Sequence, residues 1–182
     1  MDHGESSYRR YLCGDEEAFA EIVKEYFDHL TFFIRRYVGD CAAAEDLAMD
    51  VFAWLIVHKK RYNFSVSLKT YLFMLGRSRA LDYIRRRDKL PMMELSEIAD
   101  ISDQSPYPEE MLLLDERKQA IHSALAGLSE EMRLAVHMTY FEDMSADEVA
   151  KVLKKNRKQV YNLLYRAKNA LRIALEKEGE LI

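Results

Sequence analysis

Residues 145–172 read SADEVAKVLKKNRKQVYNLLYRAKNALR, and this stretch decides how the second half of the chain folds. Ser145 followed by Glu148 has the spacing of a capping box, in which hydroxyl and carboxylate each satisfy a backbone N–H at a helix start. Val149, Val152 and Leu153 then predict a short amphipathic helix. Asn156 with Gln159 repeats the capping spacing after a tight turn, so a second helix follows. On that helix Val160, Leu163, Leu164, Ala167 and Leu171 recur at helical spacing and face inward. Arg157, Lys158, Gln159, Tyr161, Asn162, Tyr165, Arg166 and Lys168 are left facing outward. Two short-linked helices with such an outer face are what a helix-turn-helix needs to read duplex DNA. Arginine matches guanine, asparagine and glutamine match adenine, and lysine matches phosphate.

Working outward, the 182 residues allow one domain or two small ones, and a 49% hydrophobic content is ample for folded cores. The formal net charge of -4 excludes a generally basic nucleic-acid binder. Its distribution is more informative. Basic residues concentrate at 77–89 and 151–172, while 94–116 is acidic without a single Lys or Arg. DNA would therefore be met only at local positive patches. Cys13 and Cys41 lack metal-ligand spacing and read as free thiols of a reducing cytoplasm. Neither a signal peptide nor a long apolar run is present, so the expected location is cytoplasmic, with no membrane insertion.

The fold class read from the pattern is all-α, as two small helical domains joined by a linker. Residues 1–14 are polar and read as loosely ordered, or as a short first helix over 8–12. A helix from Asp15 carries an apolar stripe from Phe19 to Val38 and stops at Gly39. The next runs from residues 41–44 to about Arg61, with Leu47, Val51, Phe52, Trp54, Leu55 and Ile56 on the buried side and Glu45, Asp46 and Asp50 on another. Tyr62, Asn63, Phe64, Ser65, Val66 and Ser67 break the pattern, and Ser67 caps a third helix. That helix turns Leu68, Tyr71, Leu72, Leu75, Ala80, Leu81 and Ile84 inward and crowds Lys69, Arg77, Arg79, Arg85, Arg86 and Arg87 on its other side. Aromatic rings beside a cationic helix suit single-stranded DNA, where bases stack and cations hold phosphates.

Residues 91–108 form an acidic linker that contains all three prolines, with a short docked helix expected over 95–99. The second domain, 109–182, is expected to be a four-helix unit: helices over 111–125 and 130–141, the latter capped by Ser129, then the helix-turn-helix.

An acidic helix, an aromatic loop, a basic helix, a linker and a helix-turn-helix, in that order, resemble the bacterial RNA polymerase sigma factors of the extracytoplasmic-function (ECF) group of the sigma-70 family. The first matching stretch is Ala44-Glu45-Asp46-Leu47-Ala48-Met49-Asp50-Val51-Phe52. The second runs from Tyr71-Leu72 through Arg77-Ser78 to Asp82-Tyr83-Ile84-Arg85-Arg86. The third comprises Leu125, Leu128, Arg133, Glu148-Val149-Ala150, Val160, Tyr165-Arg166-Ala167 and Leu171-Arg172. Departures from the family pattern are Met49 for glutamine, Tyr71 for tryptophan, Ser78 for asparagine, Lys154-Lys155-Asn156 for a glycine-containing turn, and Leu163 for arginine.

The resemblance implies roles by position. Glu45, Asp46 and Asp50 would dock on the clamp of core RNA polymerase. The loop 62–67 would capture a flipped base of the minus-ten promoter element, with Arg77, Arg79, Arg85 and Arg86 facing the melting duplex. Arg157, Lys158, Gln159, Tyr161, Asn162, Tyr165, Arg166 and Lys168 would meet the minus-thirty-five element of promoter DNA. It also implies an anti-sigma factor as a partner. The function expected is therefore a promoter-specificity subunit and not an enzyme. The alternative is a stand-alone helix-turn-helix regulator with an N-terminal interaction domain, which would have no need of the acidic helix and aromatic loop. No metal or nucleotide cofactor is implied, since the five histidines are scattered and no glycine-rich phosphate loop occurs.

Overall fold

A computed structural model describes residues 3–89 and 124–177, and among them every regular element is helical. The chain separates into two compact units, the first containing residues 3–89 and the second residues 124–177. The expected linker boundaries and the helix over 95–99 lie outside the described residues, as does the helix over 111–125 except for its last turn.

In the first unit α1 spans His3–Leu12, α2 Glu16–Val38, α3 Cys41–Val57 and α4 Leu68–Arg87. Helix α2 is central and packs against the other three. Its ends were legible: Asp15 accepts from the Ala18 N–H, and Gly39 closes the helix at φ 77°, a left-handed conformation that only glycine adopts without strain. The core joins Ile22, Leu30, Phe33 and Ile34 of α2 to Val51 and Leu55 of α3 and Leu68, Leu72 and Phe73 of α4, all fully buried. Each such side chain contributes about 1.5–3 kcal/mol by leaving water. Helices α2 and α4 approach closely at Gly76, where an added methyl would lie 2.8 Å from the Leu30 side chain.

The N-terminal segment departs from the expectation. Instead of a loose arm with a short helix at 8–12, residues 3–12 form a full helix. Gly4, Ser7, Tyr8 and Tyr11 fall on one face at helical spacing, and all four are buried against the unit. Helix α3 also ends earlier than read, at Val57, followed by a 3-10 turn over Lys59–Arg61.

In the second unit α5 spans Glu130–Tyr140, α6 Ala146–Leu153 and α7 Arg157–Lys177, with a helical turn at residues 124–126 before Ser129. Both predicted caps of the helix-turn-helix are present. The Ser145 hydroxyl accepts from the Glu148 N–H while the Glu148 carboxylate accepts from the Ser145 N–H at 3.0 Å. Asn156 Oδ1 accepts from the Gln159 N–H, and Gln159 Oε1 accepts from the Asn156 N–H, both at 2.8 Å. Between them Lys154 takes a left-handed conformation at φ 54°. Leu128, Leu134, Val136, Val149, Val160, Leu163 and Ala167 form the core, with α5 and α6 both packed on α7.

Candidate functional site

On α7 the inner and outer faces divide as the spacing predicted. Val160 and Ala167 have no exposed surface, whereas Arg157, Lys158, Gln159, Tyr161, Asn162, Tyr165, Arg166 and Lys168 are all exposed. The face is partly preorganised. The Arg157 guanidinium donates to the Tyr161 hydroxyl at 3.1 Å and lies 3.4 Å from Asp147 of α6, and these neighbours raise its pKa, the Tyr161 hydrogen bond most. Gln159 has one lone pair of its carbonyl oxygen committed to the cap, while its NH₂ donors remain available to meet a base. Sequence reasoning missed Lys155 and Glu131, whose side chains pair at 2.8 Å beside Gln159, Asn162 and Arg166, around a cavity of about 210 Å³. A single lysine in a turn and a single glutamate in α5 gave no pattern to read.

In the first unit Glu45, Asp46 and Asp50 are exposed on α3 as expected. Ile56, expected inward, is instead 45% exposed. It belongs to a row that the sequence did not reveal: Met49 at 56% and Val57 at 75% exposure share a side with Ala53, from Glu45 on one flank to Asp50 on the other, with Asp46 inside the same arc near its N-terminal end. The reason for the miss is physical. Apart from its three carboxylates helix α3 is apolar on several sides, so periodicity could not say which apolar side is covered.

The loop 62–67 is more enclosed than its composition indicated. Tyr62 is 2% exposed; its hydroxyl donates to the Val66 carbonyl at 2.7 Å, and its ring packs against Tyr8, Phe64 and Tyr71. It offers no open face for a base. Phe64 is half-buried with its backbone at φ 60°, and the Arg9 guanidinium lies over its ring at 4.0 Å. Asn63 and Ser65 are the exposed polar members, linked by a 3.1 Å bond from the Ser65 N–H to Asn63 Oδ1, while Val66 and Ser67 are half-buried. Ser67 also caps α4 by accepting from the Thr70 N–H at 3.2 Å.

The arginines of α4 do not crowd one side. At about 100° per residue, Arg79 and Arg86 align two turns apart, and Arg77 projects from the opposite side to Arg79. Arg85 and Arg86 are exposed, whereas Arg77 and Arg79 are half-buried. Arg85 is paired with Asp82 at 3.1 Å. The Arg77 Nε is buried without a hydrogen-bond partner among the described residues, which leaves a donor unsatisfied in this chain alone.

The chain itself has known relatives. Family models for Sigma-70 region 2 and Sigma-70, region 4 match residues 22–90 and 118–171. The ECF RNA polymerase sigma factor SigW of Bacillus subtilis is 24% identical over 168 residues, covering 87% of this chain and 89% of that protein. The chain belongs to the sigma-70 family, in its extracytoplasmic-function group. A second relative of this sigma factor, the RNA polymerase sigma-H factor of Pseudomonas aeruginosa, is 25% identical and covers 92% of this chain and 91% of its own length. In fold, the sigma factor RpoE solved with the anti-sigma factor NepR from Bartonella quintana matches with a TM-score of 0.67 at 22% identity, over 87% of this chain and 96% of that one. CnrH, solved with the cytosolic domain of CnrY, matches with a TM-score of 0.67 at 18% identity, over 97% and 99%. Sigma factors are non-enzymatic transcription initiation factors, and no finding favours the stand-alone regulator. Among the described residues, no helix is long and apolar enough to cross a membrane.

Proposed function

We propose that this sigma factor works in the cytoplasm by a division of labour between its two units. The second anchors the polymerase on closed promoter DNA through α7, and the first grips core RNA polymerase through α3 and receives unpaired bases at the loop 62–67. The observation that carries this reading is the wholly exposed polar face of α7, whose start is fixed by the reciprocal Asn156–Gln159 cap. Asn162 and Arg166 lie one turn apart on that face, where bidentate contacts to adenine and guanine are each worth about 1–3 kcal/mol of discrimination. Lys158 and Lys168 suit phosphates, so binding weakens as salt rises.

On α3, Met49, Ala53, Ile56 and Val57 supply an apolar centre and the acidic residues a rim, the arrangement of a protein-binding surface. At the loop, unstacking a base costs a few kcal/mol, and stacking returns about 1–3 kcal/mol per base. Asn63 and Ser65 supply the polar contacts, and Tyr62 holds the loop from beneath. An anti-sigma protein is a further expected partner, since two sigma factors of similar fold were each solved with a protein bound, NepR in one case an anti-sigma factor.

The test is run-off transcription by core polymerase and this chain, on promoters selected from a random DNA library. Initiation from a defined upstream sequence is expected. Arg166→Ala should lower discrimination at one upstream base pair roughly 10-fold or more. No initiation from any selected DNA would return the reading to a regulator, and equal loss on all sequences would demote Arg166 to a phosphate contact.

A further inference from the structure

Adjacent arginines on α1 have opposite surroundings. Arg10 is neutralised, at 2.6 Å from Asp15 and 3.0 Å from Glu21. Arg9 is exposed, pairs with no carboxylate among the described residues, and lays its guanidinium on the Phe64 ring at 4.0 Å. A guanidinium held by its flat face keeps its N–H donors at its edge, free for a planar or tetrahedral anion. Its seat is firm. Phe64 is held at φ 60°, which costs a bulky residue about 1–3 kcal/mol and persists only where neighbours fix it. Those neighbours are Tyr62 and Tyr8, whose ring centroids lie 4.6 and 6.1 Å from that of Phe64.

The same arrangement recurs alongside. Lys59 places its ammonium 4.5 Å over the Tyr11 ring, and the exposed Lys60 and Arg61 complete a cationic rim that pairs with no carboxylate among the described residues. Glu5 of α1 is half-buried and lies 3.5 Å from the Tyr62 hydroxyl. This rim borders the loop through a helix that the sequence pattern had assigned no role.

We propose that Arg9 is a phosphate-binding residue for the unpaired DNA strand, seated on Phe64 so that a base entering the loop finds its backbone already met by a cation. The inference rests on the loop's receiving unpaired bases. Arg9 would then add affinity without reading sequence, while Asn63 and Ser65 contact the base.

The experiment uses holoenzyme assembled from core polymerase and the full chain, with fluorescent promoter DNA selected as above, either fully paired or carrying a premelted bubble over the downstream element. Binding is measured across a salt series for wild type, Arg9→Gln, Arg9→Lys and Asn63→Ala. For Arg9→Gln, affinity for bubble DNA should fall several-fold, and the dependence of log affinity on log salt should flatten by about 0.7, the loss of one single-strand phosphate contact. Paired DNA should bind unchanged. Arg9→Lys should keep the wild-type slope, because it keeps the charge. If Asn63→Ala weakens bubble binding while Arg9→Gln leaves affinity and slope at wild-type values, the phosphate contact is refuted and the loop reading stands. If both arginine variants lower the melting temperature without changing the slope, Arg9 is only a clamp on Phe64 and the proposal is overturned. If wild type shows no preference for the bubble and Asn63→Ala changes nothing, the loop reading fails and takes this one with it.

Discussion

Helices α3 and α7 both carry a proposed contact face, yet only one of them shows it in its sequence. Helix α7 alternates cleanly between a buried apolar stripe and an exposed polar face, so the helical repeat alone says which side is left for the proposed DNA contact. Helix α3 has an apolar stripe on both sides, one covered by the core and one bare. The difference follows from what each surface touches. A DNA-reading face must be polar and charged, hence unlike a core. A face that docks on protein is centred on apolar side chains, hence like one.

This contrast gives the largest predicted effect. Val57→Asp puts a charge at the C-terminal end of the bare α3 row, at its most exposed side chain, 75% exposed in the free chain. The melting temperature should not change, while affinity for core polymerase, measured by competition binding, should fall about 30-fold or more, a loss of roughly 2 kcal/mol or greater. Asp50→Arg on the acidic flank should weaken binding less, since exposed charge pairs are worth about 0–1 kcal/mol. The reverse ranking would mean that the rim carries docking and that α3 is no more apolar in function than α7.

How much was legible follows the same division. The caps at Ser67, Ser129, Ser145 and Asn156 were readable because each side chain closes on a backbone N–H only three residues away. The placement of Tyr62 and Phe64 was not, because a loop aromatic is equally at home as a stacking platform or in a core, and here α1 covers them from a distance in sequence that local pattern cannot bridge. Arg9 was hidden for that reason too. The arginines of α4 were legible as a count and not as a face, since 77, 79, 85 and 86 do not share a helical side.

Among the described residues the aromatic cluster under the loop has no counterpart in the second unit, whose Tyr140, Tyr161 and Tyr165 are exposed, and alkaline pH should separate the two. Burial, with Tyr11 and Tyr71 adding, pushes the Tyr8 hydroxyl up to about 12. Below pH 10 it is neutral in both folded and unfolded chains. As pH rises from 10 to 12 only the unfolded chain ionises it, so stability falls across that window. At pH 8, Tyr8→Phe should cost about 0.5–1.5 kcal/mol through the lost bond to the Lys59 carbonyl. That gap between variant and wild type should narrow as pH passes 10. A gap that stays constant to pH 12 in thermal melts would mean that Tyr8 titrates like an exposed tyrosine, and the cluster would lose its distinction.

The smallest effect compares two left-handed residues. Phe64 and Lys154 both hold positive φ without being glycine, at 60° and 54°. At Lys154 the conformation only closes α6, with the Lys155 N–H bonding back to the Ala150 carbonyl at 2.9 Å, and the side chain is exposed. Lys154→Gly relieves the left-handed penalty, offset in part by the greater freedom of glycine in the unfolded chain, so a gain of about 0.5–1 kcal/mol is expected with DNA binding unchanged. Phe64→Gly relieves the same backbone penalty but removes the ring from between Arg9 and Tyr62. It should therefore lose stability, and binding to bubble DNA as well, despite the easier backbone. If both glycine variants gained stability alike, the Phe64 ring would be a passenger on its loop, and the contrast between a turn that only reverses the chain and a turn that carries a site would collapse.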